Sequence, residues 1–367
     1  MKDFELDAVL QRAIGGQRLD SAEIYYLLSL RRSDQVARLF RAARQVRHRY
    51  FGLKVFLYGF VYFSTYCRNN CQFCHYRKSN QRVSRYRKSA SEVINAAGRI
   101  ADAGAHLIDL TMGEDPAFLK EGADGFEKLV QIVNRVKIKT GRPVMISSGV
   151  IPEKILKQLA LAGADWYACY QETHNRSLFK KLRPGQDYDV RWQAKEDARR
   201  AGLLVEEGLL AGVGENLQDI TYSLEMMRSM DADQVRMMSF VPQDGIPLAS
   251  GPVVDDLRET ITMAVMRLIL PDRLIPASLD IDGLDGLQRR LEAGANVITS
   301  LILPGEGLAG VASGSRDIED ARRTPGGITP VLESCGLKAA SLNDYLEWMA
   351  QHRRDREDYW KDRRNVC

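Results

Sequence analysis

The sequence predicts an α/β fold, a (β/α)8 barrel of the TIM type with helices before and after it. Three observations favour this fold: eight apolar, β-rich runs alternate with helical patterns, the alternation occupies most of the 367 residues, and an Ala-Gly-Ala tripeptide precedes three of the runs. Strands that alternate with helices are typical of βαβ units and a parallel sheet, and eight such units close a barrel. An open doubly wound sheet is the alternative, but eight consecutive units fit closure better.

The first fifty residues are predicted to be a helical extension, residues 1–50. Asp20 is placed to cap a helix that runs to Leu30, and Glu23 is placed to complete the capping interaction. Ser33 and Asp34 could begin the next helix, which would continue toward Arg47.

The eight apolar runs are the predicted strands of the barrel, which is assigned to residues 51–310. They span 54–64, 106–113, 143–149, 165–173, 202–214, 234–242, 273–280 and 296–304. Helical patterns such as 89–105 lie between them, and the Ala-Gly-Ala tripeptides indicate helix ends at which the chain turns back into the barrel. Residues 311–367 are predicted to be a helical segment with a densely charged tail.

Composition and charge limit the classes of function. A hydrophobic fraction of 45% and a charged fraction of 27% fit a globular enzyme with a large core. The net charge of +4 is too small for this length to indicate binding to nucleic acid or a membrane surface. No apolar run approaches the roughly 18 residues of a membrane helix, and the first residues contain no signal peptide. We therefore expect a cytoplasmic protein with no nucleic-acid or membrane partner.

Three of the six cysteines lie within eight positions, directly after the first predicted strand. Cys67, Cys71 and Cys74 have the spacing C-x3-C-x2-C. The reducing cytoplasm disfavours a disulfide, and a structural zinc site normally takes four protein ligands. Three thiolates can hold three irons of a cubane cluster, which leaves the fourth iron open to a small molecule. The position also fits, because the loops after barrel strands lie at the catalytic face. We therefore predict an iron–sulfur cluster, and a zinc site and chance clustering of the cysteines are the alternatives.

The cysteine motif, with Phe73 before its last cysteine and Tyr76 behind it, resembles the radical S-adenosylmethionine superfamily. Within it, six further segments are similar to the methylornithine synthases, close to the biotin synthase and hydrogenase-maturation enzymes. These segments are 60–67, 108–116, 170–186, 208–215, 235–248 and 274–286. The resemblance covers roughly residues 35–310.

This resemblance implies a [4Fe-4S] cluster whose open iron binds S-adenosylmethionine, and a 5'-deoxyadenosyl radical formed from that cofactor. It implies isomerisation of L-lysine to (3R)-3-methyl-D-ornithine, the first step of pyrrolysine biosynthesis, with an electron donor such as flavodoxin or ferredoxin. No side chain is assigned as catalytic, because the cofactors supply the reactive group. A related radical lyase or synthase acting on another small amino acid, and a non-catalytic iron–sulfur protein, are the alternatives.

A site for a diamino acid should contain one cation and at least two anions. Because a strand presents every second residue to one face, Arg236, Ser278, Asp280 and Asp109 can face the barrel interior. Arg236 could bind the substrate carboxylate through two N–H groups, with Ser278 adding a hydrogen bond. Asp280 and Asp109 could take the ammonium groups, and the resemblance implies substrate contacts at these strand ends. The alternative is that the charges form a buried ion-pair network.

Three residues at strand ends are predicted to contact the cofactor. Gly113 permits close approach of the backbone, and Glu114 is a possible acceptor for the methionine amine. Family members often have Gly-Gly-Glu here, from which this chain departs at Met112. Glu172 resembles the residue that holds the cofactor amine or ribose; its alternative role is to cap a nearby helix.

Three more residues complete the predicted cofactor site. Arg191 resembles an arginine that pairs with the cofactor carboxylate, although it could be a surface charge on a helix. Ser148 could reach the ribose or the methionine part. Tyr76 is expected to stack near adenine, with simple packing as its alternative.

Overall fold

A computed structural model describes residues 5–250, 256–311 and 317–364, and eight parallel strands form its centre. The strands are β1 Lys54–Ser64, β2 Leu107–Met112, β3 Val144–Ser147, β4 Trp166–Ala168, β5 Leu204–Ala211, β6 Gln234–Ser239, β7 Pro276–Ser278 and β8 Val297–Leu301. Each lies inside one of the eight predicted runs, so the strand predictions are confirmed; all except β1 are shorter than predicted.

The order of the strands identifies a nearly closed barrel. Neighbours follow the order β6-β5-β4-β3-β2-β1-β8-β7, so that β1 pairs with both β2 and β8. Between β6 and β7, the Val235 N–H donates to the Leu274 carbonyl at 3.0 Å and the Leu274 N–H donates to the Asp233 carbonyl at 3.2 Å. The barrel prediction is confirmed, and the open doubly wound sheet is excluded.

Helices surround the barrel. They are α1 Leu6–Ile14, α2 Ser21–Leu28, α3 Ser33–Phe51, α4 Ala90–Asp102, α5 Phe126–Thr140, α6 Glu153–Leu161, α7 Arg176–Leu182, α8 Tyr188–Arg200, α9 Leu217–Met230, α10 Asp256–Ile269, α11 Leu287–Glu292, α12 Pro325–Ser334 and α13 Leu342–Arg364. Asp20 and Glu23 form the predicted capping box, but α2 ends at Leu28 rather than Leu30. The helix that begins at Ser33 continues to Phe51, past the predicted end.

The Ala-Gly-Ala tripeptides end helices as predicted. In each, the first alanine follows the last helical residue and the glycine adopts a positive φ: +108° at Gly104, +105° at Gly163 and +100° at Gly294. A side chain would be strained there, so glycine allows the chain to reverse into the next strand.

The C-terminal helix closes the end of the barrel at which the strands begin. Tyr345 of α13 hydrogen-bonds the Tyr58 hydroxyl at 2.8 Å, and Trp348 stacks against Trp166 at 6.1 Å between ring centroids. The division into residues 1–50, 51–310 and 311–367 stays a proposal. Within the described ranges, no helix is both long and apolar enough to cross a membrane.

Candidate active site

The segment that carries the three cysteines leaves β1 and is fastened at both of its ends. Ser64 and Arg87 form an antiparallel bridge. The buried Asp115 accepts hydrogen bonds from the Ser64 hydroxyl at 2.5 Å and from Arg87 Nε and Nη2 at 2.7 and 2.9 Å. One carboxylate therefore ties together the two ends of the cysteine segment, residues 64–87.

The cysteine segment also lies directly against the end of β2. The Gly113 N–H donates to the Ser64 carbonyl at 3.0 Å, and the Arg68 N–H donates to the Glu114 carbonyl at 3.0 Å. A Cβ at position 113 would lie 2.3 Å from the Tyr66 carbonyl oxygen and 2.9 Å from Cys67 Cβ. Gly113 therefore permits the close approach of the cysteine segment, and its predicted contact with the cofactor stays a prediction.

We expect Gly113→Ala to lose most of its iron after reconstitution. The added methyl group must displace the backbone beside Cys67, and overpacking of this kind typically costs about 1–3 kcal/mol. Gly326→Ala is the matched control, since a Cβ there meets no atom within 4 Å. Iron content and thermal unfolding of both variants are the measurements. Full iron content in Gly113→Ala would contradict the steric role.

The three cysteines are free thiols at the mouth of the barrel. Burial raises the pKa values of the Cys67 and Cys74 thiols. Cys71 accepts hydrogen bonds from Gln186 Nε2 at 3.1 Å and Arg183 Nη1 at 3.5 Å. Among the residues that the structure describes, no three His, Cys, Asp or Glu side chains gather as a mononuclear metal site would require. A cubane cluster does not require such gathering, because each cysteine binds a different iron.

A cavity of about 900 Å³, part of which is open to solvent, lies beside the cysteine segment. Phe73, Cys74 and His75 line it from the cysteine segment, and every one of the eight strands, or the loop after it, contributes a further side chain. Glu172 Oε2, a buried carboxylate oxygen of the lining, has no hydrogen-bond partner among the residues that the structure describes. Cys74 of the cysteine motif and an unpartnered carboxylate oxygen therefore line one cavity, which fits a cluster with a polar cofactor beside it.

Arg236 projects from β6 into this cavity and pairs with a residue that the sequence analysis did not identify. Its Nε donates to Glu206 Oε1 at 2.6 Å, and its Nη1 donates to the Thr299 hydroxyl at 3.1 Å. Tyr170 donates its hydroxyl to the other Glu206 oxygen at 2.9 Å. No described hydrogen bond uses Nη2 of Arg236. The sequence did contain a signal for this partner, because two adjacent acids, Glu206 and Glu207, lie within an otherwise apolar strand.

Ser278, at the end of β7, and Asp280, just after it, line the cavity, and Asp280 also forms an ion pair. Arg323 Nη1 donates to Asp280 Oδ1 at 2.9 Å, and the Val311 N–H donates to Oδ2 at 2.5 Å. Ser278 lies 3.4 Å from the Ser300 hydroxyl. The buried ion-pair alternative thus holds with different partners: Arg236 pairs with Glu206, and Asp280 pairs with an arginine from the C-terminal segment.

Asp109 differs from the other carboxylates of the cavity because none of the described ion pairs includes it. It is 6% exposed, and its described hydrogen bond comes from the Thr111 hydroxyl at 2.8 Å. Burial raises the pKa of Asp109 to about 7, and the nearby Glu206 charge adds to the effect. A cation that arrived beside Asp109 would therefore stabilise its charged form.

The predicted cofactor residues Glu114, Arg191 and Glu172 lie in linked ion pairs. Arg191 Nη1 donates to Glu114 Oε1 at 3.3 Å, and Arg68 Nε donates to Oε2 at 3.0 Å. Glu172 accepts from Arg183 Nη2 at 2.6 Å, and burial raises the pKa of Glu172. Glu172 has a φ of +68°, an uncommon conformation for a residue other than glycine.

Ser148 and Tyr76 lie outside the described lining of the cavity. Ser148 is buried, but its neighbour Ser147 is the serine that faces the cavity, one position earlier. Tyr76 donates its hydroxyl to the Gly310 carbonyl at 3.2 Å and packs edge-to-face on Tyr62 at 5.2 Å between ring centroids. Their cofactor roles stay predictions.

Comparison with known proteins agrees with this geometry. The Radical SAM superfamily profile matches residues 61–227. The 3-methylornithine synthase of Methanosarcina barkeri is 42% identical over 341 residues, which are 93% of this chain and 96% of the relative. The 3-methylornithine synthase of Methanosarcina acetivorans is 41% identical over 345 residues, covering 94% and 97%. A crystal structure of methylornithine synthase superposes with a TM-score of 0.87 at 40% identity, covering 93% of this chain and 99% of that one. The chain therefore belongs to the 3-methylornithine synthase family of the radical S-adenosylmethionine superfamily, whose enzymes use a [4Fe-4S] cluster and S-adenosylmethionine.

Proposed function

We propose that this protein isomerises L-lysine to (3R)-3-methyl-D-ornithine as the first step of pyrrolysine biosynthesis. The observation that carries the proposal is the charge set of the cavity, in which Arg236 and Asp109 line the same space beside the three cysteines. When bound, the cluster and S-adenosylmethionine supply a carbon radical that removes a hydrogen atom from substrate. The names of the relatives support methylornithine as the product.

The substrate would be held by opposite charges at its two ends. Arg236 has Nη2 left for a carboxylate after its contacts with Glu206 and Thr299. Asp109 would take an ammonium group, which would compensate its buried charge. Asp280 would take the second ammonium while it keeps its contact with Arg323, and Ser278 would donate to the substrate carboxylate.

The protein's part in the cofactor chemistry would be to bind and to exclude water. Glu172 would use its unpartnered Oε2 for the cofactor amine or ribose, and Arg191 would pair with the cofactor carboxylate. Glu114 and Gly113 lie beside Cys67, where they would face the methionine end. Ser148 and Tyr76 would contact the ribose or methionine part and the adenine, respectively. We also propose a cytoplasmic flavodoxin or ferredoxin as the electron donor.

Anaerobic turnover tests the proposed function. The protein is reconstituted with iron and sulfide and incubated with S-adenosylmethionine, reductant and uniformly labelled lysine, and mass spectrometry follows the label. We expect an isomer of unchanged mass that elutes separately from lysine. Cofactor cleavage without an isomer would contradict lysine as the substrate and favour a related lyase or synthase. No cleavage by a fully loaded protein would favour the non-catalytic alternative.

The pH dependence of lysine use should report on Asp109. Because its pKa is raised to about 7, the carboxyl group becomes neutral as the pH falls through that value and no longer attracts an ammonium group. We expect kcat/KM to decrease below about pH 7. In Asp109→Asn, kcat/KM should be lower by roughly 10- to 100-fold, since a charged hydrogen bond contributes about 1.5–3 kcal/mol. The variant should also lack this pH dependence; the same pH profile in both proteins would contradict the assignment.

A further inference from the structure

A tight turn after α7 carries two side chains to one cysteine. The turn is Arg183-Pro184-Gly185-Gln186, in which the Gln186 N–H donates to the Arg183 carbonyl at 3.1 Å. Proline at the second position and glycine with a φ of +77° at the third are typical of a type II turn. The short loop therefore holds Arg183 and Gln186 close together and beside the cysteine segment, where the Gln72 N–H donates to the Leu182 carbonyl at 2.8 Å.

Both side chains donate to the sulfur of Cys71. Gln186 Nε2 lies 3.1 Å from Cys71 Sγ, and Arg183 Nη1 lies 3.5 Å from it. Arg183 Nη1 also donates to Gln186 Oε1 at 3.4 Å, which directs the amide oxygen toward the guanidinium and the amide N–H groups toward the sulfur. The two donors thus form one arrangement around a single sulfur atom.

The other two cysteines receive no such side-chain donors in the described part of the chain. The Asn69 N–H lies 3.5 Å from Cys67 Sγ, and for Cys74 the neighbouring donor is the Tyr76 N–H. Side-chain donation to sulfur is therefore concentrated on Cys71.

We propose that Arg183 and Gln186 raise the reduction potential of the cluster through Cys71. Hydrogen bonds to ligating sulfurs, and a nearby positive charge, stabilise the reduced cluster, which carries one more negative charge, more than the oxidised one. Arg183 and Gln186 are positioning and tuning residues in this account, and neither needs to contact substrate. The inference rests on the cluster and not on the identity of the substrate.

Gln186→Ala is the cleaner test, since Arg183 also holds Glu172 Oε1 and the Tyr170 carbonyl. The midpoint potential of the reconstituted cluster is measured by reductive titration with electron paramagnetic resonance, without S-adenosylmethionine or lysine. At a fixed applied potential, we expect the ratio of reduced to oxidised cluster to fall about tenfold, which corresponds to 59 mV for one electron. Gln186→Glu should lower the ratio further, because it adds a negative charge beside the sulfur.

Lys181→Gln is the matched control. It removes an exposed charge from α7, the helix that precedes the turn, and no contact of Lys181 with a cysteine is described. The proposal requires a shifted potential in both Gln186 variants at the iron content of the unchanged protein, and no comparable shift in Lys181→Gln. An unchanged potential in Gln186→Ala would overturn it. Loss of iron from Gln186→Ala would also overturn the proposal and would indicate a structural role for the turn. An equal shift of the midpoint potential in Lys181→Gln would indicate that the general electric field of nearby charges, rather than hydrogen bonding to Cys71, sets the potential.

Discussion

Cys71→Ala is expected to lose the cluster and, with it, all detectable turnover. Each cysteine of the motif would hold a separate iron, so the removal of one thiolate leaves an iron without a protein ligand. Cys71 is a buried part of the cysteine segment and lies beside the turn after α7. Iron and sulfide content, electron paramagnetic resonance and cofactor cleavage are the measurements.

Cys335→Ser serves as the control for Cys71→Ala. Cys335 is half-buried at the end of α12, next to arginines of α3, and lies away from the cavity. We expect normal iron content and turnover in this variant. Equal loss of iron in the two variants would show that the effect of Cys71→Ala is general instability, and full iron content in Cys71→Ala would contradict the cluster assignment.

Arg236→Lys is expected to reduce kcat/KM by about 100-fold or more while the positive charge is retained. Arg236 uses Nε for Glu206 and Nη1 for Thr299 and has Nη2 left for a carboxylate. A lysine ammonium cannot make these contacts together, and each hydrogen bond to a charged group contributes about 1.5–3 kcal/mol. Steady-state kinetics with lysine, together with iron content and thermal unfolding, is the measurement.

The matched control is Arg176→Lys, at an exposed arginine that also pairs with a carboxylate through two hydrogen bonds, to Asp189 at 2.8 and 2.5 Å. Exposed ion pairs contribute about 0–1 kcal/mol, so we expect little change in stability or activity. Near-normal turnover of Arg236→Lys would contradict the proposed binding of the substrate carboxylate. A lowered iron content in Arg236→Lys would instead indicate that the Arg236–Glu206 pair supports the barrel.

The barrel could be predicted because its signals are local. Apolar runs, capping residues such as Asp20 and the Ala-Gly-Ala turns act over a few positions, and the structure confirms them. Most strands were predicted too long. In the predicted run 165–173, for example, only Trp166–Ala168 forms a strand, because strand pairing ends where neighbouring strands end. The cysteine motif is local in the same way, since its three cysteines lie within eight residues.

Pairings between distant residues could not be predicted in the same way. Arg236 was expected in a charged site, but its ion-pair partner Glu206 is 30 residues earlier in the chain, on the neighbouring strand β5. Asp280 pairs with Arg323 from a segment to which no chemistry was assigned. Ser148 was predicted to contact the cofactor, and the structure shows that Ser147 lines the described cavity, because alternation along the strand decides which of two neighbours faces it.

The sequence by itself therefore determined the fold class and the family and supplied the cysteines proposed as cluster ligands, since periodicity, turn chemistry and cysteine spacing are properties of short stretches of chain. Only the tertiary structure decided which charges neutralise one another. It left Asp109 outside the described ion pairs and placed Arg183 and Gln186 on Cys71, more than 110 residues away in the chain. The physical reason is that the energy of a buried charge depends on what surrounds it in space, and barrel closure brings together side chains from all eight strands.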